Sequence, residues 1–219
     1  MSEATKIPTE VYAEMTPNPS TMKFVTNRVL IEGGKQVEYL SKKEAMGSSS
    51  LAEELFNFPF VKGIFISGNF VTVMKDDSLD WDLIIMQMRE YMREWLMEHE
   101  TAVQNVPEEL DPKSEKYSRE SSNVEKSAQS APSEKIEGPI EPTEYDEEIR
   151  TMLNDYVRPA VEQDGGAIDF KAFKDGKVYV QLRGACSGCP SSLSTLKGGI
   201  EQLLKSKMDV VESVVAEEV

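Results

Sequence analysis

Short apolar runs separated by polar residues open the chain. They predict strands at Met22 to Val25, Arg28 to Ile31 and Val37 to Tyr39, broken by Thr26-Asn27 and by the turn-forming Gly33-Gly34. The period then changes. Leu51, Leu55 and Phe56 behind Ser50 fit a short amphipathic helix that stops before Pro59. Val61 to Ile66 and Phe70 to Met74 flank Ser67-Gly68-Asn69, the pattern of a short-loop β-hairpin. Asp80 is the N-cap candidate for a long helix, because Ile84, Ile85, Met88, Tyr91, Met92 and Trp95 recur along one side of it.

From about Asn105 to Glu141, large apolar residues all but vanish and Pro, Ser, Glu and Lys take over. Residues 98–142 carry 11 acids and 5 bases. Such a stretch buries too little surface to offset its ordering entropy, and its own charge extends it, so a disordered acidic linker is expected. The pattern resumes at Thr143-Glu144-Tyr145-Asp146, a capping-box-like entry to a helix lined by Ile149, Met152, Leu153, Tyr156, Val157 and Ala160. Pro159 is expected to kink or end that helix. Asp164-Gly165-Gly166 breaks the chain before a hairpin of Ala167 to Phe173 and Val178 to Arg183, turned by Lys174-Asp175-Gly176. A helix from Ser191 to about Lys207 turns Leu193, Leu196, Ile200, Leu203 and Leu204 inward, and a strand at Val210 to Val215 completes an α-β-β-α-β order. The expected fold class is therefore α+β. Two small domains, residues 8–98 and 143–219, hang from a linker over 99–142.

Composition narrows the partners. With 24 basic against 39 acidic residues, a formal charge of -15, the chain is ill suited to nucleic acid or to an anionic membrane surface. No run approaches the roughly 18 to 20 apolar residues that cross a bilayer. Met1 to Lys6 shows neither a signal-peptide core nor an arginine-rich transit pattern, so a cytoplasmic protein is expected.

The chemistry concentrates in Gly184-Ala185-Cys186-Ser187-Gly188-Cys189-Pro190-Ser191-Ser192, which holds the only two cysteines. Three residues apart in a reducing compartment, Cys186 and Cys189 read as metal-binding or redox thiols rather than as a staple. A CxxC supplies two thiolates, whereas tetrahedral zinc or an iron-sulfur cluster normally takes four protein ligands. Either the pair acts alone as a dithiol, or two copies complete a four-thiolate site. Pro190 and the serines set the sulfurs at the mouth of a helix, where free N–H groups and the dipole favour anionic sulfur. Gly184 and Gly188 leave room for an inorganic core.

Three readings stand at this point: a shared cluster, a thioredoxin-like dithiol oxidoreductase and a zinc-bridged interaction dimer. Against the oxidoreductase, the motif follows a tight hairpin rather than a βαβ crossover, and the sole histidine, His99, lies in the other domain. Thiolate chemistry alone admits zinc as readily as iron. Two other features carry weaker readings. Met86, Met88, Met92 and Met97 with Trp81 and Trp95 fit core packing better than a docking surface. Gly198-Gly199 inside a helix suggests close backbone packing, for which a partner subunit is one candidate, since each glycine costs about 1 kcal/mol relative to alanine.

Residues from about Tyr145 to Val215 resemble the Nfu or NifU C-terminal domain of iron-sulfur cluster biogenesis proteins. The resemblance rests on Val157-Arg158-Pro159-Ala160, on Asp164-Gly165-Gly166, on the hairpin and on the CxxC run in the same order and spacing. The first domain resembles the Nfu N-terminal domain through Thr16-Pro17-Asn18-Pro19-Ser20-Thr21-Met22-Lys23-Phe24, Ser50-Leu51-Ala52-Glu53-Glu54-Leu55-Phe56 and the hairpin ending Phe70-Val71-Thr72-Val73-Met74-Lys75. Ser50 and Asn69 depart from that pattern, where proline and an acidic residue are common. The resemblance implies a carrier rather than an enzyme. It implies a 4Fe-4S cluster bridging a homodimer, held by Cys186 and Cys189 of each subunit, received from an upstream donor and passed to apo iron-sulfur proteins. It also favours iron over zinc.

Overall fold

In a computed structural model, the structure describes residues 7–106, 142–187 and 190–218. Two compact units result, and the two sheets and their helices make the fold α+β. The linker expected between the units lies, over residues 107–141, outside the described residues.

The first unit is a five-stranded antiparallel sheet. Its strands are β1 (Val11–Met15), β2 (Thr21–Thr26), β3 (Gln36–Tyr39), β4 (Val61–Ser67) and β5 (Phe70–Lys75), in the order β1-β2-β5-β4-β3. Register places Met22 and Ile64 opposite Val73, and Phe24 and Ile66 opposite Val71, so one face is uniformly apolar. Helix α3 (Trp81–Glu98) contributes Ile84, Met88, Met92, Trp95 and Leu96 to the same core, and α2 (Ser50–Leu55) contributes Leu51, Ala52 and Leu55. The intervening helix α1 (Lys42–Ala45) is a single turn. Helix α2 starts at Ser50 as expected and is capped by Ser49, whose Oγ accepts the Ala52 N–H at 3.1 Å. Among the methionines of α3, Met88 and Met92 are buried and Met86 is exposed.

One expectation for this unit does not hold. Arg28 to Ile31 is not a strand. Leu30 and Ile31 are buried in a loop whose N–H groups both donate to the Gly68 carbonyl, at 2.8 and 3.3 Å, so burial explains the apolar run without a ladder. Strand β1 was not anticipated. It is an edge strand with Tyr12 and Met15 exposed, and its alternation is correspondingly blurred. Asn69, at the hairpin turn, donates its side-chain N–H to the Thr26 carbonyl at 2.9 Å and so ties β2 to the turn.

Packing of the first unit runs past α3. The Arg28 guanidinium donates to the carbonyls of Leu96, His99 and Glu100 and closes the end of the helix. Ser49 Oγ donates to the Ala102 carbonyl at 2.8 Å, and Ser48 Oγ donates to the Asn105 carbonyl while bonding Tyr39 Oη at 2.6 Å.

The second unit begins with one continuous helical stretch of three parts: α4 (Asp146–Met152), a π-helical turn (Leu153–Val157) and α5 (Arg158–Gln163). In the π turn the Arg158 N–H reaches back five residues to the Leu153 carbonyl. This offset accommodates Pro159, which has no N–H to give, so the helix neither ends nor breaks there. The inserted residue also rotates the buried stripe. Tyr156 and Ala160, expected inward, are exposed, whereas Val157 is buried as expected and Val161 joins it.

A three-stranded sheet follows, of β6 (Gly166–Lys174), β7 (Lys177–Gly184) and β8 (Ser213–Glu218). β6 and β7 form the expected hairpin, turned by Asp175 and Gly176, both at positive φ (50° and 74°), which suits a two-residue loop. β8 starts three residues later than expected and pairs with β7 in parallel, so α6 (Pro190–Lys207) is a crossover helix. Ile149, Val161, Ile168, Val180, Leu182, Ile200, Leu204 and Val214 close the core between helices and sheet.

Candidate functional site

Strand β7 leads directly into the CxxC run, and α6 leads out of it at Pro190. The motif therefore occupies the β-to-α loop of a β7-α6-β8 crossover. This corrects the objection to a dithiol enzyme that rested on a hairpin alone, because parallel pairing of β7 with β8 is decided by contacts distant in sequence. Gly188 and Cys189 lie outside the described residues, so Cys186 is the site residue whose surroundings are known.

Those surroundings are tight. Gly166 opens β6 and stands opposite Gly184 at the end of β7. A Cβ at position 166 would lie 2.6 Å from Cys186 Sγ and 2.7 Å from the Arg183 carbonyl oxygen, so the sulfur occupies the space that any side chain there would need. Gly165 takes positive φ (81°) just past α5, and its carbonyl accepts the Ala185 N–H at 3.2 Å. Gly184, also at positive φ (63°), accepts at its carbonyl both the Ser187 N–H (3.2 Å) and the Ser187 hydroxyl (2.9 Å). The loop thus folds back over the Asp164-Gly165-Gly166 turn and drives Cys186 into the core, where it is 7% exposed.

Electrostatics follow from that burial. Desolvation, and secondarily the Asp164 carboxylate, pushes the Cys186 thiol up to about 12, the opposite of the depressed value expected from a helix mouth. Cys186 precedes α6 and packs inward instead of lying at the helix mouth. An attacking redox thiol needs exposure and thiolate character. Cys186 in the described fold has neither. His99 stacks on Trp95 (4.0 Å between ring centroids, 9° between planes) at the end of α3 in the first unit. Sequence reasoning singled out the cysteines and the Gly-Gly break separately. That Gly166 is the seat of Cys186 required knowing which strand ends meet.

Among the described residues, no group of three or more His, Cys, Asp or Glu side chains is placed to hold a metal ion, and no helix is long and apolar enough to cross a membrane. Gly198 and Gly199 are exposed, with open space where a Cβ would stand.

Comparison with known proteins gives two family matches in chain order. The family described as "Scaffold protein Nfu/NifU N terminal" matches residues 11–99, and the "NifU-like domain" matches residues 149–215. A human protein named "NFU1 iron-sulfur cluster scaffold homolog, mitochondrial" is 30% identical over 205 residues, covering 93% of this chain and 70% of its own length. The Drosophila erecta protein of the same name is 29% identical over 208 residues, covering 93% of this chain. The chain spans 63% of that relative, less than two thirds of its length. A solution structure of a NifU-like protein from Saccharomyces cerevisiae aligns with a TM-score of 0.40 at 22% identity, over 48% of this chain and 92% of that one. The cytoplasmic expectation is overturned here, since both relatives are named as mitochondrial proteins. It rested on the composition of six residues, a weak ground beside similarity along nearly the whole chain. With both halves matched in order and 30% identity carried across 93% of its length, the chain belongs to the Nfu/NifU family of iron-sulfur cluster scaffolds.

Proposed function

We propose that this protein carries a 4Fe-4S cluster as cargo, held between two copies that each supply Cys186 and Cys189, and delivers it to apo iron-sulfur proteins. The observation that carries the reading is the count of donors. Two cysteines in the whole chain, both in one β-to-α loop, make half of a four-thiolate set, and a second copy supplies the other half. A cluster wrapped by two short loops at a subunit seam is open to acceptor cysteines, which can replace the carrier's ligands one at a time. Transfer, not turnover, is then the task.

The residues divide the labour. Residues 143–219 form the cluster-bearing domain. Residues 8–98, extended by the packed segment to Val106, contain no cysteine and serve to engage the recipient or donor. The linker holds the two at high effective concentration. The relatives' names make mitochondria the compartment in which we place this activity.

Anaerobic reconstitution of the full chain with iron and sulfide, followed by native mass measurement, tests the reading. The expected species is a dimer with about four irons, and it should activate a 4Fe-4S-dependent acceptor on mixing. Cys186→Ala and Cys189→Ala are each expected to lose the iron. A loaded monomer, or stoichiometric iron in either variant, would overturn the assignment. Zinc retained in place of iron would favour the interaction dimer.

A further inference from the structure

A ligand shared with a second molecule has to reach the surface, yet Cys186 is 7% exposed and belongs to the core of its unit. Its sulfur fills the place of the missing Gly166 side chain, with Cys186 Cβ itself only 3.1 Å from where that side chain would begin. Bonds that hold the loop there include Ala185 N–H to the Gly165 carbonyl and the two Ser187 donors to the Gly184 carbonyl. None of these belongs to the β6–β7 ladder, which runs from Gly166 opposite Gly184 to Lys174 opposite Lys177. The loop can therefore open while the hairpin stays paired.

We propose that Gly165 and Gly166 are positioning residues for Cys186: they store its thiol inside the metal-free fold and release it through a local opening of residues 185–187. Opening breaks the Ala185 to Gly165 bond and lifts the sulfur off Gly166, and only the opened loop offers Cys186 as a ligand. The inference rests on the reading of Cys186 as a cluster ligand, but it concerns the metal-free chain and is tested there. Storage has a chemical consequence. A carrier awaiting cargo keeps this thiol away from oxidants and alkylating agents, whose attack follows thiolate character and exposure.

The test is alkylation of the full metal-free chain carrying Cys189→Ser, so that Cys186 is the one reacting thiol. An uncharged reagent is used over a series of urea concentrations, and the fully unfolded chain sets the reference rate. The expected native rate is slower than the reference by at least about tenfold, equivalent to 1.4 kcal/mol. At low urea that rate should change little, because so short an opening exposes little surface. It should climb steeply only where the unit unfolds. Adding Gly166→Ala is expected to raise the native rate at least about tenfold while amides of β6 and β7 keep their hydrogen-exchange protection, a separation that a merely structural role would not produce.

A native rate equal to the reference refutes storage. A rate that follows global unfolding at every urea concentration refutes local release. If Gly166→Ala does not fold, the urea profile of the parent chain still decides both points. Should labelling fail these expectations while iron still binds through Cys186, only this inference falls. Should it meet them in a chain that never binds iron, the carrier reading falls instead.

Discussion

Replacing Asp169 with Asn is expected to cost the second unit about 3 kcal/mol, more than any exposed ion pair in the protein is worth. Asp169 on β6 bonds the Arg183 guanidinium on β7, and Arg183 is only 2% exposed. The other carboxylate oxygen lies 3.8 Å from Arg158 Nη2. Removing one partner of a buried pair leaves the other's charge less well compensated in a poorly solvated place, which typically costs about 3–5 kcal/mol. The Asp169 side chain keeps 13% of its exposure, so the lower end of that range applies. Native-state hydrogen exchange read by mass spectrometry on peptides of β6 and β7 is the assay, because it reports this hairpin independently of the first unit. A loss of about 3 kcal/mol appears there as exchange faster by more than about a hundredfold. Glu147→Gln is the control. Its partner Arg150 lies 4.0 Å away, both side chains are largely exposed, and a change within about 0.5 kcal/mol is expected. Exchanging both members, as Asp169→Leu with Arg183→Met, should recover most of the loss, since replacing a whole buried pair by apolar groups is often neutral. A single Asp169→Asn change below about 1 kcal/mol would refute the reasoning. Because β7 ends two residues before Cys186, the same variant should also retain less iron.

Burial, aided by the Arg183 charge and opposed by Asp169 and Glu217, pushes the Lys171 ammonium down to about 8 from its ordinary 10.5. The unfolded chain then holds a proton that the folded chain has released, so stability rises as pH climbs from about 8 to 10.5. Exchange protection of β6 in the natural chain should gain on that of Lys171→Met across this window, and a constant difference would count against the assignment. In the first unit, Ser48→Ala strips a partner from the buried Tyr39 hydroxyl and from the Asn105 carbonyl, and should cost about 1–3 kcal/mol in urea unfolding. Tyr39→Phe leaves the Ser48 to Asn105 bond in place and should cost about 1 kcal/mol. Both tryptophans lie in this unit, so their fluorescence reads it selectively, and the reverse order of the two costs would contradict the network. Gly176→Ala should loosen the β6–β7 turn, because φ is +74° there and the new Cβ would meet Glu212 Cγ at 2.7 Å. A lower thermal midpoint for the second unit is the expected readout.

Short-range pattern was enough for much of this protein. The hairpins at Ser67-Gly68-Asn69 and Asp175-Gly176, the apolar stripe of α3 and the placement of the CxxC between a strand and a helix all follow from residues close in sequence, because local periodicity and turn chemistry decide them. The two-donor count, from which the proposed sharing between subunits follows, is likewise a property of composition.

Tertiary structure decided what depends on which distant surfaces meet. An apolar run at Arg28 to Ile31 serves equally as strand or buried loop until the Gly68 carbonyl claims its N–H groups. The inward face of the helix at 146–163 kept Val157 but lost Tyr156 and Ala160 and gained Val161, because one π turn absorbs Pro159, a register that no 3.6-residue template contains. The state of Cys186 was settled in the same way. Its residue type and spacing mark a metal-binding or redox thiol, but whether its sulfur faces solvent or the core depends on a glycine 20 positions earlier that leaves room for it, and only the folded chain brings the two together.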